Sequence, residues 1–277
     1  MKAPGNWYEG DVISNGIRLH YYRTGGTKPQ LVLAHGYSDH ALCWLRVARN
    51  LQSDYDVILY DARGHGHSEA PEHGYSYDER AADLAGLVQN LHLERLAVLG
   101  HSMGAQTVAV FAGHYPALLC CAVLEDPPWM EPEEAVRRGR VRDAAWLERE
   151  RQHIAERNQQ TLEAQIAFEQ GMNADWTEED IVEAACARLT MSPHNAETIA
   201  DPPYTWRDLA KRIACPTLLM TGDSGRGALV TPKLAATALP LLPADSRVDA
   251  FMSGHSIHRV AFSEFISGLR SFLALNK

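Results

Sequence analysis

The hydrophobic pattern along the chain keeps to one rhythm, breaks it, and takes it up again. Leu31-Val32-Leu33-Ala34, Val57-Ile58-Leu59-Tyr60, Leu96-Ala97-Val98-Leu99 and Leu118–Leu124 are apolar runs without polar alternation, which predicts strands buried on both faces. Between them, residues 41–51, 77–91 and 105–114 carry helical patterning, with Leu84, Leu87, Val88 and Leu91 on one side of the second stretch. Ahead of the first run, Asp11–Ser14 and Ile17–Arg23 flank Asn15-Gly16, a dipeptide suited to a two-residue hairpin turn. Strands alternating with helices of about a dozen residues predict an α/β fold with a mostly parallel sheet and helices on both faces.

The rhythm stops at Glu125-Asp126-Pro127-Pro128-Trp129. From there to about Thr205 no strand-like run occurs, and helical stretches are expected near 131–138, 143–168 and 178–189. It resumes at Trp206–Ile213, with strands over Pro216–Thr221 and Arg247–Phe251, a helix from Thr231-Pro232 to about Leu239, and an amphipathic helix over Phe262–Leu275. The organisation expected is a core of residues 1–126 plus 206–277, interrupted by an all-helical cap over 127–205 that Pro127-Pro128 and Pro202-Pro203 bracket. The insertion holds eight Arg against sixteen Asp and Glu, most of the net charge of −9, and a solvated helical face accounts for most of these charges. Its one basic cluster, Arg137, Arg138, Arg140 and Arg142, reads more readily as such a face than as a carboxylate clamp.

Charge and composition narrow the function classes. With acidic residues in excess there is no surplus of Lys and Arg to displace counterions, which argues against nucleic acid as a partner. The longest apolar run, Ala117–Leu124, is too short to span a bilayer, and residues 1–6 contain no apolar leader segment. Five cysteines without CxxC spacing suit small core residues in a reducing compartment. The expectation is a cytoplasmic monomer or homodimer with a small-molecule substrate, no membrane partner and no cofactor.

The candidate chemistry starts where Leu96–Leu99 runs into Gly100-His101-Ser102-Met103-Gly104. Strand, sharp turn and helix in that order lift a serine hydroxyl clear of a sheet, and the flanking glycines let the strand and helix backbones approach. A dinucleotide cradle would need G-x-G-x-x-G, and His101-Ser102 stands where its middle glycine belongs. Ser102 is the candidate nucleophile, Met103 N–H one oxyanion donor, and Tyr37 N–H, in the turn His35-Gly36-Tyr37, the other. A serine nucleophile needs a base held by an acid. Of thirteen histidines, His255 leads, because it follows the last strand and completes the chain order serine, acid, histidine. His35, His65, His67 and His101 also lie near strand ends. His65-Gly66-His67 invites a metal reading, but no second half of a ligand set follows, so no metal is expected.

Taken together, His35-Gly36, Asp61-x-Arg63-Gly64-x-Gly66-x-Ser68, the elbow at Ser102 and Gly254-His255 resemble the α/β-hydrolase superfamily over essentially the whole chain outside the insertion. The resemblance implies an eight-stranded sheet with only the second strand antiparallel, and a helical cap after the sixth strand. It also implies a structural role for Arg63. Many relatives carry the acid after the seventh strand as G-x-x-D, but here Gly222-Asp223-Ser224-Gly225 places Gly225 at that point. A subset, including zearalenone-type lactonases and the acetamidomethylene-succinate amidohydrolase, places it directly after the sixth strand, where Asp126 stands beside Glu125. Asp126 is preferred and Asp223 is the alternative. A strand's C-terminal edge is also where α/β sheets place their sites.

The function expected from these residues is a serine hydrolase that cleaves a small carboxylic ester or lactone. An amide or carbon–carbon bond is the runner-up, and a ligand receptor with a retained triad the reading from another class. Tryptophans in the insertion are more often packing than pocket, but Trp129, just after Asp126, and His101 are the candidate substrate contacts.

Overall fold

The computed structural model describes residues 4–137, 143–200 and 205–276, with the side chains of 199 and 200 left aside. In chain order the strands are β1 (Tyr8–Ser14), β2 (Ile17–Arg23), β3 (Gln30–Ala34), β4 (Asp56–Tyr60), β5 (Leu96–His101), β6 (Leu119–Glu125), β7 (Thr217–Thr221) and β8 (Arg247–Ala250). They form one eight-stranded sheet in the order β1-β2-β4-β3-β5-β6-β7-β8. β2 pairs antiparallel with both neighbours, and every other pairing is parallel. Asn15 and Gly16, at φ of 48° and 80°, make the turn between β1 and β2, and the left-handed region at both positions matches the twist of the strands it joins.

The helices are α1 (Leu45–Leu51), α2 (Tyr77–Asn90), α3 (Met103–His114), α4 (Pro132–Arg137), α5 (Ala144–Arg157), α6 (Leu162–Met172), α7 (Glu178–Thr190), α8 (Glu197–Ala200), α9 (Trp206–Arg212), α10 (Pro232–Ala238), α11 (Ile257–Val260) and α12 (Phe262–Leu275). Period-two alternation sorts the strand side chains into two cores. Val32, Ile58, Val98 and Leu124 pack with α2, α3, α9 and α10 on one face. Leu31, Leu33, Val57, Leu99 and Val123 pack with α1 and α12 on the other. No helix among the described residues is long and apolar enough to cross a membrane.

Three expectations about elements need correction. The helix expected over 41–51 starts as a 3-10 turn, Ala41–Trp44, capped by the His40 side chain, before α1 begins. The single helix expected over 143–168 is two. Asn158 closes α5, and Thr161, whose hydroxyl accepts from Ala164 N at 3.2 Å, opens α6. An N-capping threonine inside a helical composition is a start signal that outweighs the propensity of its neighbours. β1 also begins earlier than expected, at Tyr8. Of the basic cluster, Arg137 pairs with Glu134 on an exposed face, while Arg138, Arg140 and Arg142 lie outside the described residues, as does Pro202-Pro203.

The helices between β6 and β7 are tied to α2 and to the loop after β4 through a buried polar seam. Asn195 Nδ2 donates to Gly64 C=O at 2.8 Å, and Ser192 N–H to the same carbonyl at 2.8 Å. Arg80, on α2, donates to Asn195 Oδ1 at 2.6 Å and to Thr198 Oγ1 at 2.7 Å. Arg63 is held by Asp83 in a bidentate pair at 2.6 Å on each arm, a bracing role for the loop after β4.

Candidate active site

Strand β5 delivers Ser102 through a tight elbow. A Cβ at Gly100 would lie 2.3 Å from the carbonyl of Gly104, and one at Gly104 would lie 2.2 Å from Ala34 O. Both positions therefore require glycine. Ser102 itself sits at φ 53°, a conformation that costs a non-glycine residue roughly 1–3 kcal/mol and persists because the surrounding backbone fixes it. Its N–H donates to Glu125 O at 2.9 Å, which places the serine beside the end of β6. Met103 opens α3, so its N–H belongs to the free donors of a helix N-terminus.

Asp126, the first residue past β6, is fully buried and also left-handed, at φ 42°. Its carboxylate accepts His255 Nδ1 at 2.6 Å, Leu229 N–H at 2.8 Å and Val230 N–H at 2.9 Å. Those amide donors come from the loop after β7, the loop that also carries Asp223. They orient the carboxylate and occupy both of its oxygens. Asp223 lies elsewhere: half-exposed, it caps a 3-10 turn by accepting Gly225 N–H at 2.8 Å. Thus Asp223 shapes the loop, while Asp126 meets the histidine.

The imidazole of His255 is partly exposed, at 32% of its side chain, on the segment between β8 and α11. Its Nδ1–H bond to Asp126 leaves Nε2 as the acceptor of the neutral ring. No hydrogen bond among the described residues joins Ser102 Oγ to His255. The ring of His101, the neighbour of Ser102, lies 4.6 Å from that of His255.

The turn after β3 is held by its own side chains. His35 Nδ1 donates to Gly36 O at 2.8 Å, and its Nε2 accepts Ala62 N–H at 3.0 Å, which fixes the neutral tautomer. Burial pushes the His35 pKa down, in keeping with that assignment. Across a planar trans peptide, a Gly36 carbonyl held toward His35 turns the Tyr37 N–H the other way. His65 Nε2 meets Tyr37 O at 2.7 Å. Burial also holds His65 well below the usual histidine range. His65 and His67 do not converge: the His67 ring packs edge-on to His20, at 5.2 Å.

The two expected substrate contacts, His101 and Trp129, are both buried. His101 is 4% exposed and turned into the protein, with Nε2 on His255 O at 3.1 Å and Nδ1 toward Asp39 at 3.6 Å. It is the last residue of β5. Trp129 is 1% exposed, donates Nε1 to Gln106 Oε1 at 2.9 Å and stacks on Trp206 at 6.1 Å. It fills the core rather than lining a pocket. Trp129→Ala should therefore cost about 3–5 kcal/mol in urea melts while leaving the ranking of substrates by kcat/KM intact. A re-ordered ranking at unchanged stability would return the residue to the pocket.

Behind the pair lies a group that sequence reasoning missed. Glu125, fully buried, accepts His258 N–H and His258 Nδ1, each at 2.9 Å. Donor atoms of His101, Glu125 and His258 fall within 4.8 Å of one another. Because His258 Nδ1 and the Glu125 oxygens are engaged with each other, and His101 Nε2 with His255, the trio reads as a hydrogen-bonded network rather than a vacant ligand set. Burial raises the Glu125 pKa to about 7 from an ordinary 4.5. The folded state therefore holds this proton more tightly than the unfolded chain. The associated stability is complete below about pH 4.5 and is lost as pH rises through about 7. Glu125→Gln keeps an acceptor for both N–H groups. It should match the parent near pH 4 in urea melts and exceed it by about 1–3 kcal/mol near pH 8. An advantage that does not change with pH would contradict the assignment.

The comparisons with known proteins agree with this architecture. A family model described as the alpha/beta hydrolase fold matches residues 29–222. The chain is similar to N-formylmaleamate deformylase of Pseudomonas putida, 29% identical over 267 residues that cover 95% of this chain and 96% of that protein. It is also similar to 2-(acetamidomethylene)succinate hydrolase of Mesorhizobium japonicum, 33% identical over 112 residues, or 40% of each chain. Among solved structures, the N-formylmaleamic acid deformylase of Pseudomonas putida S16 superposes with a TM-score of 0.78 at 26% identity, covering 95% of this chain and 100% of that one. An elbow after β5, a single antiparallel strand near one edge and a family match over well over half of the sequence lead to one conclusion: the chain belongs to the α/β-hydrolase fold family.

Proposed function

We propose that the protein is a serine hydrolase that cleaves a small N-acyl compound through an acyl-enzyme on Ser102. The observation that carries the reading is the 2.6 Å bond from His255 Nδ1 to a buried Asp126 whose oxygens are also held by two backbone N–H groups, one strand away from a strained elbow serine. In this reading His255 Nε2 takes the Ser102 proton as the hydroxyl attacks the carbonyl carbon, the Ser102–His255 contact tightening as substrate arrives. Asp126 fixes the tautomer and stabilises the imidazolium. Tyr37 and Met103 N–H groups hold the oxyanion, and His255 returns its proton to the leaving amine. Water, deprotonated by the same imidazole, then releases the acid.

The residues alone favoured an ester or lactone. Likeness over nearly the full length to a protein named as an N-formylmaleamate deformylase favours the amide-type carbonyl. Both curated relatives are named for compounds that are themselves acids. A feature of this chain supports an acidic substrate as well: Arg157, on the inner stripe of α5 with Glu150 and Ile154, is 9% exposed and its Nη2 has no partner among the described residues. It lies beside Tyr37, whose hydroxyl approaches Glu150 at 3.5 Å. In this reading a substrate carboxylate pairs with that arm.

The test is a matched panel of N-formyl and N-acetyl amides and the corresponding esters, each with and without a carboxylate, with Ser102→Ala as the blank. Steady multiple turnover, with kcat/KM for the carboxylate-bearing amides at least about tenfold above their neutral counterparts, is expected. A single slow turnover would point to a receptor, and equal rates with and without the carboxylate would remove the acidic-substrate reading.

A further inference from the structure

We infer that Glu125, His258 and His101 are positioning residues for His255, a second carboxylate–imidazole pair set back to back with Asp126–His255 that fixes the loop on which His255 stands. The inference rests on the proposed role of His255 as general base.

Consecutive residues leaving a strand point to opposite sides, so Glu125 and Asp126 diverge from the end of β6. His255 and His258 stand three residues apart at the entry to α11, and each is gripped by one of the two carboxylates. Asp126 holds the His255 ring at 2.6 Å. Glu125 holds both the main-chain N–H and the ring of His258 at 2.9 Å. His101, which faces Glu125 in the β5–β6 register, supplies a third tie through Nε2 to the His255 carbonyl at 3.1 Å. Its ring lies between the two imidazoles, 4.6 Å from His255 and 5.1 Å from His258. The segment from His255 to His258 is thus fixed at its ring, its carbonyl and its following turn, all from strand ends.

The network reaches the other side of the site too. Arg259, next to His258, donates to Asp39 at 2.7 Å, and Asp39 closes the turn that carries Tyr37 through its N–H bond to Gly36 O at 3.2 Å. A Cβ on Gly36 would come within 2.8 Å of His101 and 2.9 Å of Asp39, so the turn is packed directly onto this network. Burying a carboxylate costs several kcal/mol, and an apolar trio of similar volume would pack as well, so stability alone does not account for these residues. What an apolar trio lacks is direction: three hydrogen bonds that leave the His255 imidazole one place to stand. A misplacement of about 1 Å at such a group costs on the order of 10²-fold in rate.

The test uses the double variant Glu125→Leu/His258→Leu, in which both partners become apolar and the fold is expected to persist. Active sites are counted by fluorophosphonate titration, so loss of folded protein does not enter the rate. The expected result is a fall of roughly 10²-fold in kcat per titrated site with KM within about twofold, together with loss of the downfield proton resonance of His255 Nδ1–H. Glu125→Gln, which keeps the acceptor, should retain both the rate and the resonance. A double variant with parental kcat per site and an intact resonance would show the trio to be packing only and overturn the inference. If the double variant does not fold, His101→Gln, which keeps a donor near Nε2, is compared with His101→Leu; equal behaviour of these two would overturn it equally. Should no substrate turn over in the parent, the base reading of His255 fails, while the resonance, measured without substrate, still decides the positioning.

Discussion

Replacing Asp126 by asparagine should lower kcat by roughly 10³–10⁴-fold with little change in fold. The amide keeps the shape of the carboxylate, and one of its atoms can still accept from Leu229 or Val230. It offers an N–H where the His255 ring now finds an anion, so the neutral ring is driven to the tautomer that presents Nε2–H to Ser102 and cannot take a proton. The stabilisation of the imidazolium is lost at the same time. Asp223→Asn should cost less than about tenfold, because Asp223 caps a half-exposed turn and an asparagine caps it as well. Glu125→Gln should also remain active, which separates the two adjacent carboxylates. The gap expected between Asp126→Asn and Asp223→Asn, several kcal/mol in barrier, is wide enough to read from initial rates alone. An inactive Asp223→Asn beside a nearly normal Asp126→Asn would move the acid to the loop after β7.

Ser102→Ala is expected to have the larger effect, a fall of about 10⁴-fold or more in kcat, since no acyl-enzyme can form. The substitution should leave stability near the parental value or above it. Alanine tolerates φ 53° little better than serine, but the residue is half-buried and its side chain caps no helix N–H. A kcat that survives Ser102→Ala within tenfold would mean that water attacks directly and that the elbow serine is a bystander.

The sheet was legible because its signals are local. Asn15-Gly16 dictates a hairpin, apolar runs of four to seven residues dictate strands buried on both faces, and Gly100 and Gly104 dictate a close crossing of strand and helix. Ser102 could be singled out for the same reason. Asp126 could be chosen over Asp223 only through resemblance, because what marks it physically is non-local: amide donors more than a hundred positions away and an imidazole from the far end of the chain. Main-chain donors such as Leu229 and Val230 carry no side-chain signature at all. The Glu125–His258 pair was hidden for a related reason. Nothing in a sequence says which of two adjacent carboxylates faces which of two nearby histidines until the strand's pleat is known. His101 and Trp129 were placed at the substrate by adjacency to Ser102 and Asp126, whereas long-range packing buries both. The break at residues 158–161 was visible in principle, since Thr161 is a capping residue, but helix-forming neighbours on both sides masked it.

The central claim is that Ser102 is the group that becomes acylated, and it is tested most directly by mapping a covalent adduct. The parent protein, treated with a fluorophosphonate and digested, should carry one phosphonyl group on the peptide containing Gly100-His101-Ser102-Met103-Gly104. Labelling should be abolished in Ser102→Ala and strongly slowed in Asp126→Asn. An adduct on any other residue, or equal labelling of the Ser102→Ala variant, would contradict the account.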